Sequence, residues 1–191
     1  AKLRILTEDS RNMVLFAVFL IIFIFVLIVI FVVISHIKKS ERQKCYAAAG
    51  NLLREEFLNY ALQNTICPDS GITEPKSAKM MLCLKSKSAG KKAQFVFDPE
   101  KIVRIGRDDS ENNIFINEAS VSQKHCQIYS NDYNVFLLDL FSVNGTVVKR
   151  RFFKKYRILD GNQIKLRTGD RIAIGSAEFK VYLFYYDLTV M

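Results

Sequence analysis

The chain has 191 residues, a mass of 22.0 kDa and a formal net charge of +9, and half of its residues are apolar. That length holds about one domain plus attachments, and the composition excludes a disordered chain, a disulfide-stapled miniprotein and a large multidomain enzyme. The charge is uneven: residues 1–75 carry 8 Lys and Arg against 7 Asp and Glu, so nearly all of the surplus lies beyond them.

After an N-terminal flank of residues 1–12, residues 13–34 read MVLFAVFLIIFIFVLIVIFVVI, without a charge, Pro, Gly, Asn or Gln. A helix of 22 residues rises about 33 Å, enough for a hydrocarbon core of about 30 Å. A transmembrane helix is therefore expected over 13–35. The run is too long for a signal-peptide core, and Val33-Ile34-Ser35-His36 is not a small-residue cleavage site. Lys38, Lys39, Arg42 and Lys44 after the span outweigh Lys2, Arg4 and Arg11 before it, which puts the C-terminal side in the cytoplasm.

Residues 36–66 run on with Gly50 as the one helix breaker, and Leu53, Phe57, Tyr60 and Ala61 fall at helical spacing. This is a juxtamembrane helix whose narrow stripe packs on the domain, on a second copy, or on the membrane surface. Cys67-Pro68-Asp69-Ser70-Gly71 ends it, and a linker occupies 67–78. Cys45, Cys67, Cys83 and Cys126 form no C-x-x-C pair and are expected to be reduced in the cytoplasm. Cys83 reads as a small core hydrophobe, and Cys45 lies close enough to the membrane for acylation. With His36 and His125 the two histidines, no metal site and no cofactor are expected.

From residue 79 to 187 the pattern changes to short alternating runs: 80–84, 94–97, 102–105, 114–116, 125–129, 134–138, 146–149, 156–159, 163–166, 171–174 and 178–185. Turn signals separate them, among them Asn131-Asp132, Asn144-Gly145, Asp160-Gly161-Asn162, Thr168-Gly169-Asp170 and Gly175. Short strands at this spacing, with no long amphipathic helix between them, indicate an all-β antiparallel sandwich.

Five fragments then occur in order: Ile105-Gly106-Arg107, Asn113-Ile114-Phe115-Ile116, Val121-Ser122-Gln123-Lys124-His125, Asp139 through Thr146 with its S-x-N-G-T, and a final G-D-x-I-x-I-G from Gly169 to Gly175. Together they resemble the forkhead-associated (FHA) family, whose members are β-sandwich readers of phosphothreonine peptides. The resemblance implies that Arg107, Ser122 and the backbone of Gln123 bind phosphate, while Asn144 holds the peptide backbone. It implies loop-supporting roles for Gly106, His125, Gly145 and Thr146. The chemistry is apt: a guanidinium offers a planar fork of donors to a dianion, and a carboxamide offers the donor and acceptor that a peptide bond needs. The sequence departs from the family at two places. Gln123 stands where Arg or Lys is common, and Val143 where a hydroxyl residue is frequent.

The segment 149–157 holds six cations among three aromatics. A solvated hairpin, contact with anionic lipid, and contact with an acidic protein all suit it; nucleic acid is not expected, since no recognition fold accompanies it. No nucleophile–base pair, metal cluster or nucleotide loop is present, so the chain is not expected to be an enzyme. The reading is a single-pass membrane protein whose cytoplasmic FHA domain docks a phosphothreonine-containing protein marked by a Ser/Thr kinase. The alternatives are a phosphate-independent scaffold subunit of a membrane complex, and self-association through phosphorylated Thr65 or Thr73.

Overall fold

The computed structural model describes residues 2–64, 78–88, 91–131, 134–150 and 154–190. They form two compact units, one ending at Lys44 and one beginning at Cys45.

In the first unit the backbone is helical throughout its described length, as part of a single helix α1 (Lys2–Asn64). No Pro or Gly interrupts it before Gly50, so each internal N–H keeps its carbonyl four residues back. The apolar side chains of residues 13–34 lie open on the helix surface, with Phe16 72% and Val29 44% exposed. That stretch is long and apolar enough to cross a membrane.

The second unit joins the end of α1 to a two-sheet sandwich. Its strands are β1 (Ala78–Ser88), β2 (Lys91–Phe97), β3 (Val103–Gly106), β4 (Ile114–Phe115), β5 (Cys126–Asn131), β6 (Asn134–Asp139), β7 (Thr146–Lys149), β8 (Lys155–Ile158), β9 (Gln163–Lys165), β10 (Arg171–Ile174) and β11 (Ala177–Asp187). The six-stranded sheet has the order β2-β1-β11-β10-β7-β8, and the five-stranded sheet has the order β4-β3-β5-β6-β9. All pairings are antiparallel except β3 with β4, which is parallel. Every run expected from alternation is a strand, and the two sheets make the expected antiparallel sandwich. The turn at Asn131-Asp132, the break at Cys67-Pro68 and the centre of the 149–157 segment lie wholly or partly outside the described residues.

Alternation does the sorting. In β6 and β7 every second residue is buried, and Leu137, Val148, Ile172, Val181 and Leu84 meet between the sheets. Cys83 and Cys126 are fully buried, and burial pushes the Cys126 thiol up to about 12, out of reactive range.

The last turns of α1 pack on the outer face of β1 and β11. Ala49 and Leu53, one turn apart, are buried there against Met81 and Tyr186, and Cys45, one turn earlier, is buried as well. Tyr46 stacks on Tyr186 at 4.5 Å, and Gly50 lies so close that a Cβ would sit 2.6 Å from the Tyr186 hydroxyl. Lys101 reaches Glu56 at 2.8 Å. Two expectations are corrected. Of the stripe read from the sequence, Leu53 is buried against the sheet but Phe57 is 65% exposed, because the covered face runs through Ala49 instead; the side chains of Tyr60 and Ala61 lie outside the described residues. Cys45 is 4% exposed and faces the domain, so it is not presented for acylation.

Candidate functional site

One rim of the sandwich gathers the loops that carry the expected site residues. Arg107 follows Gly106 at the end of β3, where the backbone is pressed against the loop before β5. A Cβ on Gly106 would lie 2.1 Å from the Gln123 carbonyl oxygen. That approach lets the Arg107 N–H donate to the Ser122 carbonyl at 3.0 Å and the Asp108 N–H to the Gln123 carbonyl at 3.3 Å. Asn112 locks the same junction, its Nδ2 donating to the carbonyls of Asp108 at 2.6 Å and Gln123 at 2.8 Å. The Arg107 side chain is exposed.

Ser122 joins this junction to the 139–146 loop. Its Oγ accepts the Val143 N–H at 3.2 Å. In that bond the hydroxyl is an acceptor, so its proton can still be given to an anion. Gln123 is exposed beside it. The neighbouring cation, Lys124, is ion-paired with Glu111, and its charge is met within the domain.

His125 is fully buried beneath the two loops. Its Nδ1 accepts the Ser122 N–H at 3.1 Å, and its Nε2 lies 3.3 Å from the Gly145 carbonyl oxygen. An acceptor at Nδ1 requires a neutral ring with its proton on Nε2, which then donates to Gly145. Burial lowers the His125 pKa, outweighing the opposing pull of the Gly145 bond and Asp139.

The 139–146 loop is organised from inside by Asp139, whose side chain is buried at the end of β6. Oδ1 accepts the Ser142 N–H at 2.9 Å, and Oδ2 accepts the hydroxyls of Ser142 at 2.6 Å and Thr146 at 3.0 Å. The tight path sets Phe141 at φ 54 and Gly145 at φ 70. A Cβ on Gly145 would meet Leu159 Cδ2 at 2.3 Å. Val143 and Phe141 emerge 86% and 77% exposed.

Asn144 is exposed between them and is held at both ends. Its Nδ2 donates to the Ser120 carbonyl at 2.8 Å, and its own carbonyl receives Arg157 Nε at 3.2 Å and Nη2 at 2.7 Å. Ser120 also donates its hydroxyl to Glu118, whose carboxylate accepts Ser176 N–H at 2.8 Å and Ser176 Oγ at 2.7 Å. These donors, Ser120 foremost, hold Glu118 down to about 2. The rim is thus a continuous set of bonds from the β3 end through Ser122, His125 and Asn144 to the β10–β11 turn.

Asn112, Glu118, Asp139, Ser142 and Arg157 carry much of this geometry and were not assigned by sequence reasoning. Asp139 with Ser142 had a readable signal, since Asp followed closely by Ser at a strand end favours a local side-chain turn. Arg157 had none, because its place opposite Val147 comes from the β7–β8 register. The 149–157 segment is not a uniformly free basic tract. Lys149 pairs with Glu178 at 2.6 Å, Arg150 with Asp170 at 3.2 Å, and Arg157 holds Asn144. Thr65 and Thr73 lie outside the described residues.

Residues 103–175 match the model of the FHA domain family. The oxoglutarate dehydrogenase inhibitor of Corynebacterium diphtheriae is 30% identical over 106 residues, covering 56% of this chain and 66% of that protein. Its counterpart in Corynebacterium efficiens is 30% identical over 101 residues, covering 53% and 63%. The chain therefore spans a little under two thirds of these curated relatives. Among solved structures, the FHA domain of the CT664 protein from Chlamydia trachomatis is 27% identical, covers 53% of this chain and 95% of that chain, and has a TM-score of 0.45. The structure of Mycobacterium tuberculosis EmbR in complex with a low affinity phosphopeptide is 28% identical, covers 53% and 24%, and has a TM-score of 0.44.

Proposed function

We propose, from a sandwich domain that belongs to the FHA family, that this chain is a membrane-anchored adaptor that binds phosphothreonine peptides. FHA domains bind such peptides in signalling, and the regulatory name of the Corynebacterium relatives supports an adaptor over a catalyst. Arg107, Ser122 and the Gln123 amide hold the phosphate, and Asn144 fixes the peptide backbone. His125, Gly106, Gly145 and Thr146 keep the loops in place. The observation that carries the reading is the link from Arg107 N–H to the Ser122 carbonyl and from Val143 N–H to Ser122 Oγ, which joins Arg107 and Ser122 to the loop that carries Asn144. The long apolar helix supports anchoring in a membrane; in this reading the domain lies on the cytoplasmic side and a Ser/Thr kinase supplies the mark.

The test is a phosphothreonine peptide library titrated against the full chain in detergent, with unphosphorylated controls. Binders that require the phosphate and lose at least about tenfold on Arg107→Ala support the reading, since a charge-assisted bond is worth about 1.5–3 kcal/mol. Equal affinity for both peptide forms, or for both proteins, refutes it.

A phosphate-independent scaffold has its own support, because Gln123 is neutral, Lys124 is already paired with Glu111, and Val143 brings no hydroxyl. Pull-downs before and after phosphatase separate the two: a scaffold keeps its partners.

A further inference from the structure

The strand register lines up cations that are scattered along the sequence. Lys155 stands opposite Lys149, Lys149 opposite Arg171, Arg171 opposite Lys180, and Lys180 opposite Lys85. One row therefore crosses five adjacent strands, β8, β7, β10, β11 and β1, with a cation on each. Their strand neighbours Val148, Ile172, Val181 and Leu84 are buried in the core, so all five side chains belong to the outer face of the six-stranded sheet. At about 4.8 Å between strands the row extends about 19 Å.

Like charges placed directly across a strand pair destabilise a sheet. Here four such pairs follow one another. Lys149 and Arg171 share one acid, Glu178, at 2.6 Å and 3.0 Å. Lys85 and Lys180 both lie over the Tyr182 ring, at 5.2 Å and 5.1 Å. One row further toward the rim, Arg157 adds another cation to this face. The other part of the same face is the apolar patch covered by Ala49 and Leu53 of α1. Among the described residues, Lys149 and Arg171 share one carboxylate and Lys155 and Lys180 face none, so the row keeps positive charge to be met from outside.

We propose that this row is a docking surface for the anionic lipid headgroups of the membrane in which the chain is anchored. The proposal rests on the anchoring read above. An open sheet face presents its cations together to a plane of negative charge, and each Lys or Arg close to an anionic leaflet strengthens attachment about fivefold. The apolar span keeps the domain near a bilayer surface, so modest attraction suffices. The surface extends well beyond segment 149–157: three of its five members lie in β1, β10 and β11.

The full chain is placed in nanodiscs of phosphatidylcholine alone, or with roughly one third phosphatidylglycerol, and exposed lysines are labelled with an amine-reactive ester and read by mass spectrometry. Lys149, Lys155 and Lys180 should label at least about threefold more slowly in the anionic discs, with high salt restoring the rate. Lys165, on the other sheet, is the internal reference. In the Lys155→Glu/Lys180→Glu protein the remaining Lys149 should lose its lipid-dependent protection, while phosphopeptide affinity stays as in the parent. Equal labelling in both discs overturns the proposal. So does protection that appears in neutral discs on adding polyglutamate but is lacking in anionic discs, which would assign the row to an acidic peptide. A chain that fails to enter nanodiscs at all overturns the anchoring as well, whereas lost phosphopeptide binding leaves this surface untouched.

Discussion

Replacing His125 by Ala should damage the domain and its rim together. The imidazole joins the Ser122 N–H at 3.1 Å to the Gly145 carbonyl at 3.3 Å, and it is fully buried. Truncation leaves one donor and one acceptor without partners, at about 1–3 kcal/mol each, and a cavity adds roughly 1–2 kcal/mol. The expected loss is about 3–8 kcal/mol, against a typical domain stability of about 5–15 kcal/mol. His125→Gln supplies one acceptor and one donor on a shorter frame and should recover part of it. Titration gives an independent handle. An unfolded histidine titrates near 6.5, and burial holds His125 lower in the fold. Between those values the unfolded chain binds more protons. Stability is therefore full above about pH 6.5 and declines as pH falls through that window, with a limiting slope of about 1.4 kcal/mol per pH unit. Protonated Nδ1 would also confront the Ser122 N–H donor to donor, so peptide affinity should fall over the same range. Glu118 does not contribute there: its stabilisation is present above its ordinary 4.5 and is lost only as pH falls toward about 2. The assay is urea unfolding of the full chain in micelles, followed by circular dichroism between about pH 7.5 and about pH 5. A His125→Ala midpoint within about 1 kcal/mol of the parent, or a pH-independent midpoint in the parent, would refute the reasoning.

Arg157→Ala removes both bonds to the Asn144 carbonyl and should weaken phosphopeptide binding roughly three- to thirtyfold with little change in melting; Lys should not restore it, lacking the planar fork. Isothermal titration distinguishes this from an inert surface arginine. Gly145→Ala should cost about 2–4 kcal/mol in urea unfolding, from its left-handed φ and the contact with Leu159. Leu53→Ala should remove about 2–4 kcal/mol from the packing of α1 on the sheet. That change would appear as faster amide exchange around Met81 and Tyr186, with peptide affinity unchanged; unchanged exchange would mean that the helix contact is not stabilising.

The strands were legible because alternation and turn chemistry are local. Residues 134–139 bury every second side chain, and Gly145, Gly161 and Gly169 adopt the positive φ that their turn positions demand. The gathering of Arg107, Ser122 and Asn144 on one rim was legible through motif resemblance alone, since nothing in their spacing places them together. What the sequence hid is long-range. Phe57 fits the helical stripe as well as Cys45 does, and only the position of β1 and β11 decides which face is covered. Lys85 and Lys180 are 95 residues apart along the chain and become neighbours only through register. Nor does the sequence show that Glu111 sits against Lys124.

The first and last strands of the sandwich lie side by side, with nine residues of β1 matched to β11 from Ala78↔Asp187 to Ser86↔Phe179. The chain enters at the Ala78 end, and the rim that carries Arg107 and Asn144 is at the other. A pull applied between Ala78 and that rim would therefore run along β1 and load this ladder in shear, so that its hydrogen bonds resist at once instead of parting one by one.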